Sequence, residues 1–265
     1  MVRRARLDAE LVRRGLARSR EQASAAIAAG HVLVGGIVAS KASSGVDETT
    51  SISVSDDQAE RYVSRGGHKL AGALDGLAAV PIDGRRCLDA GASTGGFTDV
   101  LLRRGAAEVI AVDVGYGQLA WSLQSDPRVR VVDRTNVRDI TLEAVGTSVD
   151  LVVADLSFIS LLTVLPALDG VCADDGDLLL MVKPQFEVGR ARLGPGGVVR
   201  DPALRVEAVV TVARAAGRLG RGVAGVTASP LPGPAGNVEY FLWLRRGADP
   251  VDESAVEAAV AAGPA

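Results

Sequence analysis

From about residue 65 the chain alternates short, continuously apolar runs with helical stretches, and no other feature constrains its fold as tightly. Cys87-Leu88 runs into Asp89, Val109-Ile110-Ala111-Val112 into Asp113, Leu151-Val152-Val153-Ala154 into Asp155, and Leu178-Leu179-Leu180-Met181-Val182 into Lys183. Glu239 stands at the head of a further run, Tyr240-Phe241-Leu242-Trp243-Leu244, and shorter runs lie at 129–132 and 223–227. Such runs read as strands buried on both faces. With helices expected between most of them, at 69–78 and 96–104 among others, they form βα units and imply an α/β fold around a mainly parallel sheet. Ligands of open α/β sheets bind beyond the carboxyl ends of the strands, which is where these charged residues stand.

The 265 residues leave room for one sizeable α/β domain and a small module, and 48% hydrophobic content is ample for a core. No apolar run approaches the roughly 20 residues that a membrane span needs, and the N-terminus lacks the apolar segment of a signal peptide, so a cytoplasmic protein is expected. Cys87 and Cys172 are far apart and form no metal-spaced cluster. Buried, reduced thiols and no metal are expected.

The small module spans residues 1–58. Leu7, Leu11 and Val12 have helical spacing, Gly15 stops that helix, and Ser19 with Gln22 makes a capping box for a second helix carrying Ala23, Ala26 and Ile27. After Gly30, Val32-Leu33-Val34, Gly35-Gly36 and Ile37-Val38 read as strand, tight turn and strand. The overall charge is only −3, yet residues 1–20 hold seven arginines (3, 4, 6, 13, 14, 18 and 20) against Asp8 and Glu10, a local +5 that suits a polyanion. The stretch from Arg6-Leu7-Asp8 through Arg14-Gly15-Leu16-Ala17-Arg18-Ser19-Arg20 to Val32-Leu33-Val34-Gly35-Gly36 and Lys41 resembles the small α/β RNA-binding domain of the ribosomal-protein S-four type. That resemblance implies RNA contacts from Arg3, Arg4, Arg6, Arg18, Arg20 and Lys41, which fix register without reading sequence.

The first strand-to-helix turn of the larger module is Asp89-Ala90-Gly91-Ala92-Ser93-Thr94-Gly95-Gly96-Phe97, and Asp113 follows Gly91 by 22 residues at the tip of the next strand. Glycines here let backbone amides approach a ligand at a helix N-terminus, and a carboxylate at that second tip accepts ribose hydroxyls. A nucleoside-containing cofactor is the reading, with a purely structural turn as the plain alternative. The spacing G-x-x-x-G-G does not match the dinucleotide fingerprint, and no Lys-Ser/Thr follows as in a P-loop, which leaves S-adenosylmethionine.

Taken together, Ser64-Arg65-Gly66-Gly67-His68-Lys69-Leu70, the 89–97 turn, Asp155-Leu156-Ser157-Phe158-Ile159-Ser160, Val182-Lys183-Pro184-Gln185-Phe186-Glu187 and Gly236-Asn237-Val238-Glu239-Tyr240 resemble the TlyA family of ribosomal RNA 2′-O-methyltransferases, which also carries a haemolysin A label. The larger module is similar to the FtsJ ribose methyltransferases. The resemblance implies a Rossmann-like S-adenosylmethionine-dependent methyltransferase over 65–265, joined through a linker at 59–64 to the RNA-binding domain at 1–58. A linker this short, with Tyr62 and Val63 in it, is a candidate for passing RNA contact on to the second module.

By the same resemblance Lys69, Asp155, Lys183 and Glu239 match the catalytic tetrad of FtsJ-like enzymes, and Asp89, Gly91, Ser93, Gly95, Gly96, Asp113 and Asn136 match cofactor positions. A ribose hydroxyl is a poor nucleophile, so a group must accept or partly withdraw its proton during in-line attack on the methyl. Lys183 is the candidate, either as a base made neutral by desolvation and by the neighbouring Lys69 cation, or as an ammonium that polarises the hydroxyl; Asp155 and Glu239 would orient the two lysines. A nucleotide in folded RNA has to be presented to the site, with its base stacked on an aromatic ring. Phe158 is the first choice and Tyr116 the second, with Arg65, Arg134 and Arg138 extending the basic track. The implied substrate is cytidine ribose in 16S RNA, 23S RNA or both, with a link to capreomycin-type antibiotics, and a monomer acting on ribosomal subunits is expected. The competing readings are a membrane-active haemolysin and an assembly factor with an inactive methyltransferase fold. Residues 189–197, rich in glycine, read as a lid or a plain surface loop.

Overall fold

The computed structural model describes residues 5–17, 19–28, 30–35, 37–39, 41–47, 49–54 and 62–264. The chain separates into two compact units, Met1–Arg65 and Gly66–Ala265.

The first unit contains β1 (Ala5–Arg6), α1 (Leu7–Arg13), α2 (Arg20–Ala28), β2 (Val32–Val34), β3 (Ile37–Val38), β4 (Gly45–Val46) and β5 (Ile52–Val54). Its core is Leu7, Leu11, Ala23, Ile27, Val32 and Val46, the apolar faces of the two helices closing over the strands. Gly15 (φ +70°) and Gly30 (φ +76°) take the left-handed turns that end the helices, and Ser19 Oγ accepts the Gln22 N–H at 3.1 Å. The expected hairpin is present, and β5 adds a third strand, in the order β3-β2-β5; β1 pairs separately with β4.

The second unit runs α3 (Arg65–Gly76), β6 (Arg86–Ala90), α4 (Gly96–Arg103), β7 (Glu108–Val112), α5 (Trp121–Gln124), β8 (Val129–Val132), α6 (Leu142–Val145), β9 (Val149–Ala154), α7 (Leu161–Val171), β10 (Cys172–Val182), α8 (Pro184–Glu187), α9 (Pro202–Arg218), β11 (Arg221–Ala228), β12 (Tyr240–Arg246) and α10 (Glu253–Ala262). The seven-stranded sheet has the order β11-β12-β10-β9-β6-β7-β8. All its pairings are parallel except those of β12, which runs antiparallel to both β10 and β11. Leu88, Ile110, Val152, Leu178, Leu180 and Leu242 are fully buried in its core. Each such side chain contributes roughly 1.5–3 kcal/mol.

Register sets the functional edge. Ala90 pairs with Val112 and with Ala154, Ala154 pairs with Leu180, and Val182 pairs with Tyr240. Because β12 is reversed, the residue before it, Glu239, emerges at the same edge as the residues that follow the parallel strands. The structure extends β10 back to Cys172, beyond the apolar run at 178–182, through a register irregularity between Cys172 and Asp177. Exposed Asp174 and Asp175 break the apolar pattern there and hide the strand from a periodicity argument. The tail beyond residue 250 folds as α10, which packs on α9 and β11 through Val256 and Val260. Among the described residues, no helix is long and apolar enough to cross a membrane.

Candidate active site

The four charged residues form two ion pairs. Lys69, on α3, donates from Nζ to Glu239 Oε2 at 2.5 Å, with the lysine 6% and the glutamate 1% exposed. Lys183, just past β10, lies with Nζ 2.6 Å from Asp155 Oδ1, just past β9, and donates to Ser157 Oγ at 2.9 Å. Pairing each buried cation with a carboxylate offsets a desolvation cost that a lone charge could not bear.

Close packing holds the first pair. Helix α3 lies so near the 230–234 segment that a Cβ at Gly72 would meet Pro230 Cγ at 2.6 Å, and a Cβ at Gly233 would meet Glu239 Oε1 at 2.7 Å. Asn237, buried beside Glu239, accepts the Val199 N–H through Oδ1 at 2.9 Å and donates through Nδ2 to Gly197 O at 3.0 Å. The glycine-rich 189–197 loop is thus tied to the segment that carries Glu239, and Leu193 and Val199 pack into a small cluster with Val188 and Ala208.

A cavity of about 570 Å³ opens at the same edge, lined by Gly91, Ser93, Asp113, Asn136, Asp155 and Phe158 among others. Its volume falls within the range of cofactor sites. Gly91, at φ +85°, passes so close to Asp155 that a Cβ would lie 2.6 Å from the Asp155 carbonyl oxygen. Asp113 is braced for a ligand: Oδ2 accepts the Ser93 N–H at 2.8 Å and Oδ1 the Gly115 N–H at 2.7 Å. Asn136 both lines the cavity and caps the following turn, its side chain accepting the Arg138 N–H at 3.0 Å.

The remaining expected cofactor residues sit behind the cavity. Gly95 (φ +97°) lets α5 approach, since a Cβ would meet Leu123 Cδ1 at 2.3 Å, and Gly96 is buried at the start of α4. Asp89 is fully buried; its Oδ2 accepts the Thr98 N–H at 2.9 Å and the Thr98 hydroxyl at 2.7 Å, and its Oδ1 has no partner among the described residues. Burial pushes this carboxyl up to about 7, against the pull of the Thr98 bonds, and the charges of Asp155 and Asp113 add to the rise. An orphaned acceptor, a braced carboxylate and a glycine approach fit a nucleoside cofactor with a cationic end.

Around the cavity, Phe158 is 91% exposed, adopts φ +64°, and has its ring 5.5 Å from that of Phe186. A phenylalanine in this backbone region is a local strain of about 1–3 kcal/mol, of the kind found at binding sites. Tyr116 is 70% exposed with the Arg134 guanidinium 4.3 Å above its ring, Arg138 lines the cavity, and Arg65 is exposed at the start of α3. Trp121, 79% exposed, was not anticipated, although a tryptophan in a chain with 3% aromatics was a usable signal.

In the first unit, Arg6 (3.0 Å) and Arg20 (2.8 Å) converge on the buried Asp8, while Lys41 is exposed. Arg14 is structural, bonded to Glu10 and to the carbonyls of Asp47 and Thr50. Arg3, Arg4 and Arg18 lie outside the described residues, as do residues 59–61 of the expected linker. Sequence reasoning missed the organising role of Asp8 and the contact made by Ser157.

Comparison with known proteins gives matches to the FtsJ-like methyltransferase family over residues 62–246 and to the S4 domain over residues 5–52. The chain is 61% identical over 269 residues, covering both chains in full, to the 16S/23S rRNA (cytidine-2′-O)-methyltransferase TlyA of Mycobacterium tuberculosis. It is 36% identical to Hemolysin A of Brachyspira hyodysenteriae, over 89% of this chain and 98% of that one. A solved structure from Streptococcus thermophilus that bears a hemolysin name superposes with a TM-score of 0.76 at 36% identity, covering 98% of this chain and 96% of that one.

Proposed function

The chain belongs to the TlyA family of FtsJ-like methyltransferases, and from that membership we propose that it methylates a ribose 2′-hydroxyl of ribosomal RNA, using S-adenosylmethionine, with cytidine in 16S or 23S RNA as the target. The observation that carries the reading is the lysine–carboxylate pair of Lys183 and Asp155 at the rim of the cavity that Asp113 and Gly91 also line.

In this reading Asp113 would hold the ribose hydroxyls of the cofactor, the backbone at Gly91 and Ser93 would lie against it, and Asp89 would support the turn from behind the cavity. When bound, S-adenosylmethionine supplies an electrophilic sulfonium methyl. Lys183 contacts the substrate 2′ oxygen. Its Nζ lies beside the Asp155 carboxylate and donates to Ser157, and in this reading the paired carboxylate keeps Lys183 an ammonium that steadies the growing charge on that oxygen while the hydroxyl proton leaves to solvent. Lys69 and Glu239 form a second, buried ion pair.

RNA is held by phosphate contacts from Arg3, Arg4, Arg6, Arg18, Arg20 and Lys41. The target base stacks on Phe158, with Tyr116 and Arg134 beside it. The reading carries with it a cytoplasmic monomer working on ribosomal subunits, and a change in capreomycin susceptibility when the protein is lost.

The test is to incubate purified protein with each ribosomal subunit and a labelled methyl donor, and to map 2′-O-methyl groups. Label on a cytidine ribose is expected, and Lys183→Ala should abolish it while calorimetry still detects cofactor binding. Methylation of a base, or full activity in Lys183→Ala, would overturn the assignment.

A further inference from the structure

Among the described residues the Lys183 side chain has two partners, one charged and one neutral. Asp155 Oδ1 lies 2.6 Å from Nζ, and Ser157 Oγ accepts from the same nitrogen at 2.9 Å. Both acceptors come from the segment that directly follows β9. That segment is itself held in place: the Asp155 N–H donates to Ala90 O at 3.1 Å, and its backbone abuts Gly91.

An ammonium has three N–H donors on a freely rotating group at the end of a flexible chain. One carboxylate fixes the position of the nitrogen and leaves the group free to turn about that contact. A second acceptor, fixed to the first through two peptide units, removes this freedom and leaves one N–H for a substrate oxygen. Lys183 is 7% exposed, whereas Ser157 is exposed and lines the cavity, so the bond ties a buried amine to the rim where a substrate would arrive.

We infer that Ser157 is a positioning residue for methyl transfer, its hydroxyl fixing the orientation in which Lys183 meets the reacting oxygen. The inference rests on the proposed role of Lys183. Ser157 buries little, and its removal opens no cavity in the core, so its effect on folding is expected to be small. Misorientation at a reacting centre has a larger effect on rate.

The experiment compares Ser157→Ala, Ser157→Thr and Lys183→Ala in steady-state methyl transfer to ribosomal subunits, with melting curves to confirm folding and calorimetry for the cofactor. Ser157→Ala should lower kcat roughly 10- to 100-fold with KM for RNA and cofactor affinity unchanged, and Ser157→Thr, which keeps the hydroxyl, should recover most of the loss. An unchanged kcat in Ser157→Ala, a loss that Thr does not recover, or a loss confined to KM would each overturn the positioning role. If Lys183→Ala stays active, the reading of the site has failed instead, whatever Ser157→Ala does.

Discussion

At the scale of single residues, Asp89 couples pH to stability. Its carboxyl, raised to about 7 chiefly by burial, is more easily protonated in the folded chain than in the unfolded one. Its contribution to stability is therefore fully present below about pH 4 and is lost as pH rises through 7. Asp89→Asn keeps an oxygen for the Thr98 donors and removes the charge. The variant should melt at nearly constant temperature from pH 5 to pH 8, while the parent protein loses up to about 2.7 kcal/mol, at about 1.36 kcal/mol per unit over the two units between pH 5 and pH 7. Cofactor affinity should fall in the same variant. Parallel melting curves for the two proteins across that range would refute the assignment. Gly91→Ala gives a second residue-scale test: the added methyl would strike the Asp155 carbonyl from a left-handed backbone, so cofactor affinity should drop at least tenfold in calorimetry.

Among the elements, the segment between β11 and β12 decides whether the site is complete. Gly233→Ala would push a methyl group onto Glu239 Oε1 and disturb its pairing with Lys69, so methyl transfer should fall while cofactor binding persists. Asn237→Ala would leave the Val199 N–H and the Gly197 carbonyl without partners, at a cost of about 1–3 kcal/mol. Hydrogen exchange at Val199 should then accelerate, with the central strands unaffected. These contacts lay beyond what the sequence could reveal. Apolar runs located the strands, and the charges at their ends pointed to Asp155, Lys183 and Glu239, because buried parallel strands leave a plain one-dimensional signature. The bond from Lys183 to Ser157, the convergence of Arg6 and Arg20 on Asp8, and the grip of Asn237 on a loop join residues distant in sequence or lack a pattern of their own. The early part of β10 was hidden for a related reason, its polar residues at 174–175 resembling a turn.

For the molecule as a whole, the charge of the first unit is organised as well as concentrated. The Asp8 carboxyl is held well below the usual carboxylate range, first by its hydrogen bond from Arg6 and also by Arg20, against the opposing effect of burial. Its stabilising contribution is present above about pH 4 and is lost as pH falls below that value. Asp8→Asn leaves every arginine charged and removes the anchor that holds two of them together. RNA affinity should fall severalfold with the salt dependence unchanged, whereas Arg6→Ala should reduce the slope of log affinity against log salt by about one. Filter binding over a salt series separates the two outcomes.

The buried bond from Lys69 to Glu239 joins residues 170 positions apart, the first helix of the larger unit to its last strand. Closing so long a loop is expected late in folding, since the contact needs nearly all of the intervening sheet to be in place. During synthesis on the ribosome, a nascent chain can form the cofactor turn at 91–96 long before Glu239 leaves the exit tunnel. On the proposed reading, an enzyme that acts on ribosomal RNA would stay chemically silent on the ribosome that is making it until Glu239 has joined Lys69.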